Sequence, residues 1–206
     1  IHDNIRHLLL EEDRNRMWIA TQHGLDLMDL RTGKVRHFLE GEGNSIVSED
    51  IRFLSNDVFN NIWIGTYGGI SVYNERENRF NNFRHDPADS GSLSDNRVYS
   101  IFEDSDRDIW IGTRRGLNRF IPSENRFECF FFDPEDSLSL SHNFITTLFE
   151  DSRSRLWIGT YGGGLNLMTG RGTFRHFSVA DGLPNNVIYG ILEDSNGNLW
   201  LSTNKG

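Results

Sequence analysis

Short apolar runs alternate with turn-forming residues along the whole chain, and the pattern is clearest between residues 97 and 131. Apolar runs cover 97–103, 109–113, 117–121 and 126–131, and the gaps between them are rich in Asp, Ser, Gly and Asn. Runs of this length bounded by such residues are typical of β-strands. The pattern therefore predicts four short antiparallel strands in this segment, and no part of the chain shows the spacing of a long helix.

The same four-strand pattern recurs along the chain with a period of about 46 residues. One tryptophan marks each unit, and the five are Trp18, Trp63, Trp110, Trp157 and Trp200, with spacings of 45, 47, 47 and 43 residues. A Thr follows each Trp by three residues and a Gly follows it by six, while a pair of acidic or amide residues precedes it by seven and six. A fixed period of this length indicates a tandem-repeat fold.

Units of four antiparallel strands predict an all-β fold, a β-propeller in which each repeat forms one blade. Over residues 1–206 we expect blades at roughly 4–46, 47–93, 94–140 and 141–183, and an incomplete one at 184–206, about four and a half in all. Propellers close with four to eight blades, and closure removes exposed strand edges. We therefore expect a fragment of a larger, seven-bladed ring, completed by remaining blades or by a second copy of the chain.

The repeated residues have predicted structural roles. Each Trp should be buried between blades, and the small residue two positions after it should let the next sheet approach closely. The Gly six positions after Trp should adopt a positive φ; these are Gly24, Gly69, Gly116, Gly163 and Gly206. The polar segments 86–94 and 133–139, which connect blades, each contain one leucine expected to be buried, Leu93 and Leu138.

Composition excludes several functional classes. The formal net charge is −9 and the pI is about 5.2, which disfavours binding of nucleic acid by this segment. Cys129 is the only cysteine, so no disulfide can form within the chain. No apolar run approaches the roughly 20 residues that span a bilayer. Any membrane association is therefore expected to come from other parts of a longer parent protein.

The sequence offers no metal site and no cofactor motif. The segments beginning at Asp104 and Asp194 resemble the start of an EF-hand, but Arg115 and Lys205 stand where the closing Glu is required. His37 and His176 occupy equivalent repeat positions, which indicates a structural role. Acidic pairs occur in nearly every repeat, whereas a glycosidase needs two particular carboxyls at one centre. We therefore expect no catalytic residues and no enzymatic activity in this segment.

The candidate ligand site lies where the repeats differ. The turn after the second strand and the position 11 before Trp vary from blade to blade, and the latter reads His7, Arg52, Tyr99, Thr146 and Tyr189. Aromatic faces suit sugar rings, and Arg binds carboxylates or sulfates in a bidentate manner. The predicted ligand-binding residues are Arg52, Tyr67, Tyr99, Arg114, Arg115, Tyr161 and Tyr189; solvent-exposed rim residues are the alternative.

The phrases at residues 61–69 (NIWIGTYGG) and 193–200 (EDSNGNLW) resemble the two-component regulator propeller repeat, and the resemblance extends over essentially the whole chain. It implies a periplasmic sensor region of a hybrid two-component histidine kinase that detects an oligosaccharide. The kinase and the downstream sensor domains, which would be its partners, are not in this chain. Departures such as Ala20 and Ser202 in place of Gly do not identify a ligand.

Two other functions remain open at this stage. A propeller can also carry a glycan lyase or hydrolase, because one fold hosts many chemistries. It can also serve as a scaffold for protein interactions. Turnover of a polysaccharide would indicate the first, and retention of a protein partner without sugar would indicate the second.

Overall fold

The computed structural model describes residues 4–206, and its strands form five antiparallel sheets within those residues. Blade 1 contains β1 (Ile5–Glu11), β2 (Arg16–Thr21), β3 (Gly24–Asp29) and β4 (Val35–Phe38). Blade 2 contains β5 (Ile51–Asn56), β6 (Ile62–Thr66), β7 (Ile70–Asn74) and β8 (Arg79–Phe83). Blade 3 contains β9 (Val98–Glu103), β10 (Ile109–Thr113), β11 (Gly116–Ile121) and β12 (Arg126–Phe130). Blade 4 contains β13 (Ile145–Glu150), β14 (Leu156–Thr160), β15 (Leu165–Gly170) and β16 (Thr173–Phe177), and blade 5 contains β17 (Ile188–Glu193) and β18 (Leu199–Thr203).

Within each blade the strands pair in chain order, so every sheet is a simple meander. The first strands of consecutive blades, β1, β5, β9, β13 and β17, lie next to one another. This arrangement places the first strand of each blade on the inside of the arc and the fourth on the outside. The prediction of a β-propeller with four-stranded antiparallel blades is confirmed.

The tryptophans join consecutive blades. Trp18 is fully buried and packs with Phe38 of its own blade and with Ile51 and Leu54 of blade 2. Equivalent apolar clusters surround Trp63, Trp110 and Trp157 at the next three junctions. Trp200, in the two-stranded blade, is 66% exposed. Burial between blades, as predicted, makes the first four tryptophans the centre of each interblade core.

A carboxylate fixes each indole ring. The Nε1 group donates to Asp57 in blade 2 at 3.0 Å, and equivalent bonds of 2.7, 2.8 and 3.1 Å reach Asp104, Asp151 and Asp194 in blades 3 to 5. In blade 1 the acceptor is Glu11, at 2.6 Å. We call these five acidic residues the clamp carboxylates. They also accept backbone amides of their own hairpin turns in blades 2 to 5, and so their repetition is explained by architecture.

The glutamates directly before three of the clamp carboxylates bind the neighbouring blade instead. Glu103 accepts the Val58 amide of blade 2 at 2.8 Å. Glu150 and Glu193 accept both the amide and the hydroxyl of a serine in the preceding blade, Ser105 and Ser152 respectively. One residue of the acidic pair therefore holds its own turn, and the other links two blades.

The glycine that begins the third strand must approach the fourth strand closely. At Gly69, where φ is +129°, an added Cβ would lie 2.3 Å from the Phe83 carbonyl oxygen. The predicted positive φ is found in four blades, but in blade 4 it was assigned to the wrong residue. Gly163 does not have it, and Gly164, with φ +81°, accepts the Thr160 hydroxyl as Gly69 accepts that of Thr66. The extra glycine of blade 4 shifts this role by one residue.

The small residues after the tryptophans do allow close approach of the next sheet. A Cβ on Gly65 would lie 2.7 Å from Val98 of blade 3, and one on Gly112 would lie 2.7 Å from Ile145 of blade 4. Of the two leucines predicted to be buried in the connections, Leu93 is buried but Leu138 is 53% exposed. Leu140 is the buried residue of that connection, because it lies 17 residues before its Trp, as Leu93 does.

Candidate functional site

The predicted site residues lie on one face of the arc, at the end of the blades opposite the clamp carboxylates. Arg52, Tyr99 and Tyr189 lie at the start of β5, β9 and β17, and Tyr67, Arg114 and Tyr161 lie in the turns that follow β6, β10 and β14. Because strands of a meander alternate in direction, the start of the first strand and the end of the second meet at the same edge.

The first strand of every blade is irregular at this edge. In blade 2, Ile51 pairs with Thr66 and Phe53 pairs with Gly65, so Arg52 has no partner residue across the ladder. The residues skipped in this way are Arg6, Arg52, Tyr99, Thr146 and Tyr189. A bulge re-aims the side chain of the extra residue, which explains why this position is free to vary.

Blade 1 departs from the predicted alignment by one residue. Its first hairpin contains the 3-10 turn Glu12–Arg14 and is one residue longer than the others, since Leu9 pairs with Trp18 whereas Ser55 pairs with Trp63. The residue equivalent to Arg52 is therefore Arg6, and assigning His7 to this position was wrong. His7 instead contacts the ring of Phe53, with centroids 4.4 Å apart, and its burial lowers its pKa.

The aromatic side chains on this face form a continuous series across blades 2 to 5. The Arg52 guanidinium lies 3.9 Å from the centre of the Tyr67 ring, and the Tyr67 ring lies 5.6 Å from that of Tyr99. Phe144 then bridges the gap to blade 4, at 4.6 Å from Tyr99 and 5.1 Å from Tyr161. Tyr161 is 6.3 Å from Tyr189. We call this series the aromatic arc: Arg52, Tyr67, Tyr99, Phe144, Tyr161 and Tyr189.

Backbone hydrogen bonds hold the arc in place. The amides of Tyr67 and Tyr161 donate to the carbonyls of Asp50 and Phe144, at 3.1 and 2.9 Å. Arg114 makes the same bond to Arg97, at 3.1 Å. The turn is thus tied to the residue before the first strand in blades 2 to 4, and in blade 4 the rings of the two positions, Phe144 and Tyr161, stack on each other.

Sequence reasoning missed Phe144 and Arg97. Both occupy the position 13 before Trp, which the repeat comparison did not single out, although Asp50 and Val187 show that it varies from blade to blade. The signal that could have identified them is this variability beside a fixed buried isoleucine or valine one residue later.

Positive charge is concentrated around Tyr99. Burial raises the pKa of Tyr99 to about 12, and a hydrogen bond with Tyr67 adds to this, while the charges of Arg97 and Arg114 oppose it. Arg97 is held by Asp95, with Nε and Oδ1 3.1 Å apart. Arg115 contacts no ring of the arc among the described residues, and its charge acts on Asp95. The structure therefore brings six of the seven predicted residues together and leaves Arg115 at the margin.

The arc can accept flat apolar faces and anionic groups. Tyr161 and Tyr189 are 45% and 48% exposed, whereas the rings between Arg52 and Phe144 are half-buried. The rings are tilted toward or stacked on their neighbours, so part of each aromatic surface is used within the arc. Within residues 4–206, no group of three or more His, Cys, Asp or Glu side chains is arranged to hold a metal ion. No helix in that range has the length and apolar character of a transmembrane segment.

Comparison with known proteins identified similarity to one family profile and to solved structures with the same fold. Residues 92–115, 139–162 and 182–205 match the sequence profile of the two component regulator propeller. Each matched segment runs from the connection before a blade to the turn after its second strand. Comparison with curated proteins gave no match.

Two similar solved structures are extracellular domains of proteins from B. thetaiotaomicron described as hybrid two-component systems. One has a TM-score of 0.84 and 24% identity and covers 100% of this chain and 28% of its own. The other has a TM-score of 0.79 and 26% identity, with coverages of 98% and 26%. The chain thus spans little more than a quarter of the length of either structure.

Virginiamycin B lyase from Staphylococcus aureus shares the fold, with a TM-score of 0.70 and 14% identity over 96% of this chain and 62% of the lyase. An enzyme with this fold therefore exists, at an identity too low to carry over its chemistry. The match to the family profile, in contrast, recurs in blades 3, 4 and 5 and confirms the resemblance expected from the sequence. Three segments of the chain, in blades 3, 4 and 5, are therefore similar to the two-component regulator propeller repeat.

Proposed function

We propose that this chain is a ligand-sensing propeller in the extracytoplasmic, periplasmic region of a hybrid two-component sensor, and that the face carrying the aromatic arc binds an oligosaccharide. The kinase that receives the signal is not in this chain. The family profile and the similarity to two extracellular domains described as parts of hybrid two-component systems support the sensor role.

The observation that carries the ligand class is the continuity of the arc. Aromatic rings from four different blades lie within 6.3 Å of their neighbours, so one extended ligand can touch several blades at once. Sugar rings present apolar faces that pack on aromatic rings. Arg52, Arg97 and Arg114 add groups that bind carboxylate or sulfate, and they favour an acidic oligosaccharide over a neutral one.

The charges on this face favour binding over turnover. Asp50 and Asp95 each form an ion pair with the arginine two residues later. Burial would raise the pKa of Asp95, but hydrogen bonds from Arg97 outweigh it, and the pKa is lowered. Glycosidases need one carboxyl that stays protonated until it donates its proton. Carboxylates paired with arginine are poorly suited to that role.

Calorimetry with a panel of neutral, uronate-containing and sulfated oligosaccharides tests the proposal. We expect binding that is weakened about tenfold or more by Tyr99→Ala and by Arg114→Ala, since stacking and charged hydrogen bonds each contribute roughly 1–3 kcal/mol. Arg171→Ala, at an exposed position on blade 4 that pairs with Glu128, is the control and should bind normally. Unchanged affinity in both arc variants would refute the proposed face.

The same panel distinguishes the two rival functions. A glycan lyase or hydrolase would release products from a polysaccharide with this chain alone, and the release would be lost in Asp95→Asn or Asp50→Asn. A scaffold for protein interactions would retain a protein partner in the absence of sugar. Either result, obtained without saccharide binding, would replace the sensor proposal.

Signal transmission would proceed through packing. A kinase on the other side of a membrane can respond only to the relative geometry of the parts that connect to it. A ligand that touches four blades favours one spacing of those blades over another. Kinase output of the parent receptor should therefore lose its ligand dependence in Tyr99→Ala; a normal response in this variant would contradict the mechanism.

A further inference from the structure

A cavity of about 220 Å³ lies between blades 2 and 3 at the clamp end of the blades, away from the aromatic arc. Trp63, Val72, Phe83 and Phe120 form its apolar walls. Asn61, Asn81 and Glu103 contribute polar groups, and Phe59, which is 75% exposed, stands at its edge. The proposed function does not use this cavity.

The other complete blades carry an arginine beside the tryptophan at the equivalent place. In blades 1 and 4, Arg16 and Arg155 lie over the rings of Trp18 and Trp157, with the guanidinium carbon 5.7 and 5.3 Å from the ring centres. Both lie two residues before the Trp, and both donate to the clamp carboxylate. In blade 2 this position is Asn61, whose shorter side chain also donates to the clamp carboxylate but reaches no further.

Blade 3 provides its arginine from a different strand. Arg119 is the ladder partner of Trp110 and donates to Asp108, which takes the place of Asn61, at 2.8 Å. In blade 2 the ladder partner of Trp63 is Val72, and the residue opposite Val72 is Asn81. Among the four complete blades of the described chain, blade 2 alone has short side chains at all three positions. Arginines line the equivalent spaces beside blades 1 and 3, whereas the wall at Trp63 is formed by these short side chains.

The cavity also has excess negative charge. Asp57 is 7% exposed, and its oxygens accept only neutral donors: the amides of Phe59 and Asn61, the Asn61 side chain and the Trp63 indole. No ion pair of the described residues includes Asp57 or Glu103, although Arg107 also borders the cavity. Burial raises the pKa of Glu103; the Val58 amide and the charge of Arg107 oppose this, and the charge of Asp57 adds to it. In blades 1 and 4, by contrast, the clamp carboxylate is paired with an arginine.

We infer that the cavity between blades 2 and 3 is a binding site for a small molecule with a guanidinium group, which stacks on Trp63 and takes the place that Arg16, Arg119 and Arg155 occupy in the other blades. A flat cation gains from the faces of Trp63 and Phe120 and from the two carboxylates. A neutral molecule of the same shape keeps the apolar contact and neutral hydrogen bonds but lacks the attraction of a positive charge to the ring faces and the carboxylates.

Argininamide and its neutral isostere citrullinamide test this inference. In calorimetry at constant ionic strength, we expect argininamide to bind at least fivefold more tightly than citrullinamide, the size of effect that a partly desolvated cation–π contact supports. The indole NH signal of Trp63 in an NMR spectrum should shift on binding. Equal affinity for the two compounds, or no binding of argininamide, would overturn the inference.

Asn61→Arg supplies the missing side chain from within the chain. We expect it to fill the cavity and abolish argininamide binding without loss of thermal stability, because blades 1 and 4 already carry arginine at this position. Asn198→Arg, the same change in blade 5, is the matched control and should leave the affinity unchanged. Unaltered binding in Asn61→Arg would place the ligand elsewhere. Val72→Leu adds a methylene group to the cavity wall and places there the residue that pairs with Trp18 in blade 1, Leu27. It should weaken binding, and it gives a second variant should the first fail to fold.

Discussion

At the clamp end of the blades, one hydrogen bond from a tryptophan to a carboxylate recurs in all five repeats. At the other end, the skipped residue of the first strand is Arg, Tyr or Thr depending on the blade. At both ends, the strand pairing of the backbone is similar from blade to blade. The difference is that the clamp carboxylates of blades 2 to 5 accept backbone amides of their own turns, whereas within residues 4–206 no side chain of the aromatic arc hydrogen-bonds a backbone group of the ladder.

This comparison separates stability from recognition. A side chain that accepts the backbone amides of a turn cannot change without leaving those amides unpaired, which explains the aspartate at this position in blades 2 to 5. A side chain re-aimed by a bulge accepts no turn amides, although the Thr146 hydroxyl donates to the carbonyl of Ile188 in the next blade. Substitutions at the clamp end should therefore cause large losses of stability and small losses of ligand affinity. Substitutions in the aromatic arc should cause small losses of stability and large losses of ligand affinity.

The largest expected effect is at a buried clamp carboxylate. Asp151→Ala should lower the free energy of unfolding by about 3 kcal/mol, because it leaves Arg155 and the Trp157 indole without their buried acceptor. Urea denaturation followed by circular dichroism measures the loss. Asp194→Ala removes the same bond in blade 5, where Trp200 is exposed, and should shift the urea midpoint much less. Equal shifts of the urea midpoint in the two variants would contradict a connection between the clamp hydrogen bond and the burial of the tryptophan between blades.

The next effect concerns the close approach of the third and fourth strands. Gly69→Ala should cost about 3 kcal/mol of unfolding free energy, since it combines a positive φ with a Cβ 2.3 Å from a carbonyl oxygen. Gly33→Ala is the control: its φ is +70°, and nothing lies within 4 Å of its added Cβ. It should cost about 1 kcal/mol, the cost of the backbone conformation alone. The difference between the two variants measures the steric contact.

Acid should weaken the clamp. Burial would raise the pKa of Asp151, but the hydrogen bonds from the Trp157 indole and the amides of Arg153 and Arg155 outweigh it and lower the pKa. A carboxyl with a lowered folded-state pKa contributes stability above its unfolded value of about 4, and that contribution is lost as the pH falls through the folded-state value. The urea concentration at the midpoint of unfolding should therefore decrease as the pH is lowered below 4. This decrease should be less steep in Asp151→Asn. An identical pH profile in this variant would contradict the assignment.

The smallest expected effect on stability lies in the aromatic arc. Tyr189→Ala removes a ring that is 48% exposed and touches Tyr161, so the unfolding free energy should change by less than about 1 kcal/mol. Oligosaccharide affinity should nevertheless fall. If the stability loss matched that of Asp151→Ala, the aromatic arc would have to be regarded as part of what stabilises the blades.

Much of the blade architecture could be predicted from the sequence. Strands expected at 97–103, 109–113, 117–121 and 126–131 are found at Val98–Glu103, Ile109–Thr113, Gly116–Ile121 and Arg126–Phe130. The errors were shifts of one or two residues. Leu138 was chosen instead of Leu140, although Leu140 has the same distance to its Trp as Leu93. Gly163 was chosen instead of Gly164, and His7 instead of Arg6, because counting from Trp ignores an inserted residue that a turn accommodates.

The candidate site was predictable only in part. Variable turn and first-strand positions identified most of the arc, but not Phe144, whose role depends on a hydrogen bond that places it between Tyr99 and Tyr161. The guanidinium site between blades 2 and 3 could not be predicted from any single repeat. It arises from the absence of an arginine at three positions that only the ladder register makes equivalent.

By itself, the sequence determined the blades, the buried tryptophans and the turns, because those contacts lie within one repeat or follow from its period. Only the tertiary structure decided which variable side chains meet. Tyr67 and Tyr99 are 32 residues apart in the chain, and their rings come within 5.6 Å because neighbouring first strands pack side by side. Contacts of this kind depend on how one blade sits against the next, a distance that residue spacing does not encode.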